Sequence, residues 1–112
     1  MDFAKNKIIE KSVERAKYEL RFKIEQKHKH TENITQTFLR YFQTYDFFDI
    51  RYISKSDYFH ILLLLGILQA NDKTCDLYVR KYNDFNTLFD IYQHNKTGYL
   101  EYHKFIKEVL YN

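Results

Sequence analysis

The chain has 112 residues, of which 45% are apolar and 19% aromatic, with no proline and glycine only at Gly66 and Gly98. That length suits one small domain, and the scarcity of turn formers excludes a strand-rich fold in favour of an all-α one. Net charge is +3, but residues 1–30 hold nine Lys/Arg against five Asp/Glu, so the basic excess lies wholly in the first segment. Cys75 stands alone, which rules out an internal disulfide and suits a reducing compartment; it reads as a small filler in or near a helix. The first residues, "MDFAKNKIIEK", lack the apolar core of a secretory signal. The longest apolar run, "ILLLLGIL" at 61–68, is far below the roughly 20 residues of a membrane span. The expectation is a cytoplasmic protein.

Residues 3–27 are expected to form one long helix. Ile9, Val13, Ala16, Leu20 and Ile24 recur on a single narrow face. Such a rod wants a surface to lie on. Either it packs on its own domain, or it docks to a partner as a basic amphipathic arm over residues 1–30. In the second case Ile9, Val13, Leu20 and Lys17 are the candidate contacts. "QKHKHTEN" at 26–33 interrupts the period. His28 and His30, two apart, do not share a helix face and read as solvated.

Asn33 and Gln36 have capping-box spacing for a second helix reaching about Tyr45, with Ile34, Phe38, Tyr41, Phe42 and Tyr45 on one face. A third helix is expected over Lys55–Leu68, ended by Gly66 and "QANDK", with His60 at the edge of its apolar face. A fourth spans about Thr74–Tyr92, carrying Tyr78, Tyr82, Phe85, Leu88, Phe89 and Tyr92 at helical spacing. After "QHNKTG" a last helix over about Glu101–Tyr111 carries Phe105, Ile106 and Val109.

Two stretches share a pattern. In "FDIYQHNKTGYLEYHKF" at 89–105, aromatic residues lead into a polar loop, Gly98 marks a bend, and Leu100 and Phe105 follow. In "FQTYDFFDIRYISKSDYFHILLLLG" at 42–66, Asp46 opens the loop, Ile53 stands where Leu100 stands in the other, and Asp57 closes it. Each unit resembles an EF-hand of the calmodulin superfamily. The resemblance implies an all-α fold: a pair of EF-hand-like units, about 34–68 and 74–112, within residues 31–112 and behind the long N-terminal helix. It also implies a short antiparallel pairing of the two loops through Ile53 and Leu100. The loops begin at Asp46 and Gln93, further apart than in a tight pair, so the connecting helix should be elongated.

The ion chemistry implied by the resemblance is depleted. Calcium takes roughly six to eight oxygens, several anionic, with a bidentate glutamate last. The second loop offers Gln93, Asn95, Thr97, the Tyr99 carbonyl and Glu101, then Lys104 where the glutamate belongs. The first offers Asp46, then Phe48, Ile50 and Ser54, with Asp57 too short to replace glutamate. Arg51 sits at its bend, where a side chain disfavours positive φ. No metal or other cofactor is expected.

No nucleophile–base pair, glycine-rich phosphate loop or metal-ligand cluster suggests an enzyme; Asp46, Asp49 and Asp57 read as loop and capping acids. Degenerate members of the superfamily look like light chains or assembly subunits. The expected function is therefore calcium-independent docking into a cytoskeletal assembly, axonemal or light-chain-like. The partner would be an amphipathic helix or a polymer such as a microtubule, with Phe47 and Phe48 as further candidate contacts. The alternative is a regulatory calcium sensor with one weak or partner-dependent site. Nucleic-acid binding through residues 1–30 is disfavoured, because the charge there is mixed and the aromatics lie elsewhere.

Overall fold

A computed structural model describes residues 3–28, 32–69 and 76–111, with side chains from residue 6 onward. Cys75, His30 and the expected start of the fourth helix at Thr74 lie outside the described residues. Within them the chain is mostly helical: α1 (Phe3–Lys27), α2 (Ile34–Gln43), α3 (Lys55–Leu64), α4 (Asp76–Tyr92) and α5 (Tyr102–Tyr111). Two short strands, β1 (Tyr52–Ser54) and β2 (Tyr99–Glu101), form an antiparallel ladder. Two helix–loop–helix units, α2–β1–α3 and α4–β2–α5, therefore meet through their loops.

Local chemistry sets the helix ends. Asn33 and Gln36 close a reciprocal cap at the start of α2: the Gln36 amide donates to Asn33 Oδ1 at 2.8 Å, and the Asn33 amide donates to Gln36 Oε1 at 3.1 Å. α2 stops at Gln43, short of Tyr45, because its last turn tightens: the Tyr45 amide donates to Phe42 O and the Asp46 amide to Gln43 O. α3 stops at Leu64, four residues short of Leu68. Gly66 takes φ +78°, the Ile67 amide reaches back to Leu62 O, and the Gly66 amide to Leu63 O. This is a glycine-closed helix end with its apolar follower tucked in. Ile67 and Leu68 remain buried although the helix has ended, so the apolar run continues past the helix. α5 begins at Tyr102 instead of Glu101, since Glu101 ends β2 and its carboxylate accepts the His103 and Lys104 amides at 3.1 Å each.

Aromatic rings fill the core. Phe42 packs on Tyr102 and Phe105, with ring centroids 5.6 and 5.9 Å apart, and Tyr58 packs on Phe89 at 5.1 Å. Tyr58 and Tyr102 are 1% and 0% exposed, so each hydroxyl needs an acceptor inside the protein. Tyr58 donates to the Phe85 carbonyl at 2.7 Å; Tyr102 donates to Asp46. Burial pushes the Tyr58 phenol well above its ordinary value, and the charge of Asp90 adds to the rise.

Of the two readings left open for the first helix, the described residues take the one in which it packs on its own domain. α1 lies chiefly along α4 and also touches α2 and α5. Ala16, Leu20 and Ile24 belong to the same buried cluster as Phe38, Phe85 and Val109. Polar ties reinforce the seam. Arg15 holds Asp84 through two bonds of 2.9 and 2.8 Å, Lys81 Nζ lies 2.7 Å from Glu19, and Arg21 donates to the Val109 carbonyl at 2.9 Å. The narrow stripe is narrow because it fills a seam in the molecule's own core.

Candidate functional site

The paired loops, 46–57 and 93–104, are the candidate site. Ile53 lies directly opposite Leu100, flanked by Tyr52 opposite Glu101 and Ser54 opposite Tyr99. Ile53 and Leu100 are 1% and 0% exposed. The ladder therefore buries one apolar residue from each loop while binding the two units together. The Tyr102 amide extends the link by donating to the Arg51 carbonyl.

Asp46 opens the first loop and is itself buried. Its carboxylate accepts three donors: the Ile50 amide at 2.9 Å, the Arg51 amide at 2.8 Å and the Tyr102 hydroxyl at 2.6 Å. Burial by itself would raise this carboxyl. The Tyr102 hydroxyl, then the two amides and the nearby His103, outweigh that and hold it below its ordinary value. Tyr102 responds in the opposite sense: burial first, then the hydrogen bond and charge of Asp46, push its phenol upward. One carboxylate thus closes its own loop and clasps the start of α5 in the other unit.

Both loops use left-handed backbone: Asp49 at φ +54° and Arg51 at φ +72° in the first, Asn95 at φ +48°, Lys96 at φ +58° and Gly98 at φ +80° in the second. Only Gly98 adopts it without a side-chain penalty. The Asp46 carboxylate keeps the first bend in place by gripping the Arg51 amide. Arg51 also lies 3.5 Å from Glu101, an exposed contact of little energetic weight.

In the second loop Gln93 Oε1 accepts the Gly98 amide at 3.0 Å, and the Thr97 hydroxyl donates to the His94 carbonyl at 2.6 Å. Asn95 Nδ2 lies 3.2 Å from His94 Nε2. Glu101 spends its two oxygens on the first amides of α5. Asp57 sits in the first turn of α3, where its amide donates to Ser54 Oγ at 3.2 Å. A cleft of about 770 Å3 borders this loop, with Tyr52, Tyr92, Lys104, Phe105 and Lys107 in its wall.

The calcium ion implied by the resemblance does not fit these residues. In the first loop the Asp46 carboxylate already accepts three protein donors, and the next ligand positions present the Phe48 ring and the Ile50 side chain. In the second, Glu101 is the sole anion, committed to the helix start, and Lys104 brings a cation to the last position. Among the described residues no three His, Cys, Asp or Glu side chains converge as a metal set. No helix among them is long and apolar enough to cross a membrane.

The expected contact residues separate into two groups. Phe47 and Phe48 project into solvent, 88% and 79% exposed, with their rings edge to face at 5.1 Å; Ile50 beside them is 54% exposed. Leu20 and Lys17 face inward instead and are corrected as partner contacts. Leu20 is core, and Lys17 is buried with its ammonium 5.1 Å above the Tyr92 ring. Val13 packs against the same core, and Ile9 is half-buried. The face of α1 that solvent reaches carries Ile8, Tyr18 and Phe22, none of which the stripe analysis singled out. Tyr18 and Phe22 sit at i, i+4, so the signal was present once the first stripe had been assigned inward. Comparison with protein-family models, with curated proteins and with solved structures finds no match to this chain.

Proposed function

We propose that the chain is a non-catalytic, calcium-independent EF-hand-like interaction module that docks permanently into a cytoskeletal assembly of axonemal or light-chain kind. The observation carrying this reading is the first loop. Its lead carboxylate accepts three of the protein's own donors, the following ligand positions carry Phe48 and Ile50, and Phe47 and Phe48 stand in water. A loop built to take up an ion would place oxygens at those positions. A loop built to present an apolar contact places there side chains that can meet a partner, and uses its carboxylate for rigidity. Two helix–loop–helix units joined through Ile53 and Leu100 support the EF-hand-like description, and the exposed aromatic pair supports a protein contact.

Two measurements test it. Calorimetric titration with calcium is expected to give no binding heat up to millimolar ion; a micromolar isotherm would move the protein to the calcium-sensor class. The double variant Phe47→Ser/Phe48→Ser is expected to leave folding stability within about 0.5 kcal/mol, because both rings are already exposed. The same variant should lose co-sedimentation with the microtubule or filament fraction. Retained co-sedimentation would remove this patch as the docking contact.

A further inference from the structure

A second apolar feature lies on the opposite side of α1, and nothing in the loop reading depends on it. A cleft of about 710 Å3 runs between α1 and α4. Tyr18 and Phe22 form its aromatic wall, 65% and 46% exposed, with rings stacked at 6.5 Å. Single exposed aromatics are ordinary on a protein surface. Two of them stacked one helical turn apart in a shallow, open cleft form a ready contact.

The rim supplies the charge argument. Five cations line the cleft against the carboxylates of Glu14 and Glu19. Two of the cations are neutralised within the fold, Arg15 by Asp84 and Lys81 by Glu19. Arg21 donates to the Val109 carbonyl, which carries no countercharge. Lys23 and Arg80 make no ion pair among the described residues, and Glu14 likewise has none there. Three uncompensated cations therefore surround an aromatic wall beside one uncompensated carboxylate.

We infer that this cleft docks an acidic amphipathic helix of a protein partner. A helix laid between α1 and α4 sets an apolar residue on the Tyr18–Phe22 rings and turns carboxylates toward Arg21, Lys23 and Arg80. The uncompensated Glu14 carboxylate leaves the rim mixed in sign, which a helix can match residue by residue and a uniformly anionic lipid surface cannot.

The test uses the full chain, immobilised and offered a displayed library of random peptides. Enriched sequences should be acidic, with apolar or aromatic residues at i, i+3 or i+4. Synthetic versions should bind the chain about tenfold more tightly than the Lys23→Glu/Arg80→Glu variant, a difference of about 1.4 kcal/mol. That variant spares Arg15 and Lys81, which hold α1 to α4, and its circular dichroism should match the parent. The Phe47→Ser/Phe48→Ser variant should bind the same peptides as well as the parent, separating this surface from the loop patch. The inference is overturned if nothing enriches, if basic or uncharged peptides enrich, or if scrambled acidic peptides bind equally well. It is also overturned if the parent chain binds phosphatidylserine vesicles in preference to the peptides, or if the cleft proves to be the contact of a self-dimer.

Discussion

Leu20→Ala is expected to lower folding stability by about 3–5 kcal/mol, read as a shifted denaturant midpoint with an unchanged slope. Leu20 is 1% exposed and sits in one cluster with Ala16, Ile24 and the aromatic rings of the other helices. Truncation removes about 2 kcal/mol of apolar transfer and leaves a cavity, which costs as much again when neighbours on α4 and α5 cannot collapse. A domain of this size has about 5–15 kcal/mol in total, so this one side chain carries a large share. Ile8→Ala, on the exposed face of the same helix, should stay within about 0.5 kcal/mol. Equal small effects at Leu20 and Ile8 would return α1 to the status of a separable arm. For the same reason, deleting residues 1–28 should unfold the remainder, since it strips cover from the buried cluster.

The second large effect centres on Asp46. Asp46→Ala is expected to cost about 2–4 kcal/mol, because it orphans the buried Tyr102 hydroxyl and two loop amides at once. Tyr102→Phe alone should cost about 1–2 kcal/mol, and the double variant less than the sum of the singles, since each removes what the other has left unpaired. Acid should act through the same carboxylate. Its pKa is lower in the folded chain than in the unfolded one, so the unfolded state binds more protons as pH falls. The stabilisation is fully present above about pH 4 and is lost as pH drops through the folded value. Denaturant unfolding between pH 5 and 2 should show that loss in the parent and a shallower one in Asp46→Asn. An identical acid profile in the variant would detach Asp46 from the effect. At the alkaline end the sign reverses. Tyr58 and Tyr102 titrate higher when folded, so their contribution holds below about pH 10 and fades as pH climbs toward the raised values.

How much of this could be read from the chain depends on the range of each interaction. The Asn33–Gln36 cap, the bend at Gly98 and the helical character of α1, α4 and α5 are local, and short patterns signal them. The end of α3 was legible in Gly66 but masked by Ile67 and Leu68, whose hydrophobicity serves burial after the helix has stopped. The face of α1 was readable as a stripe; what covers it was not. Periodicity says that Leu20 wants an apolar neighbour and is silent on whether that neighbour lies on α4 or on another protein. Asp46 makes the same point for polar groups. Its position in the loop marked it as an ion ligand or a capping acid, while its strongest partner, Tyr102, lies 56 residues away. No short motif encodes such a pairing.

The seam that α1 makes has a consequence in time. Its polar ties reach forward 69 residues from Arg15 to Asp84 and 88 from Arg21 to Val109. During synthesis, at about 5–20 residues per second, roughly 4–18 s pass between the emergence of Arg21 and that of its partner. Through much of that interval the Ala16–Leu20–Ile24 stripe has only α2 to lie on, until α4, its chief cover, has been made. The nascent helix must be shielded by a chaperone or tolerate solvent, and completion of the core waits for the last helix.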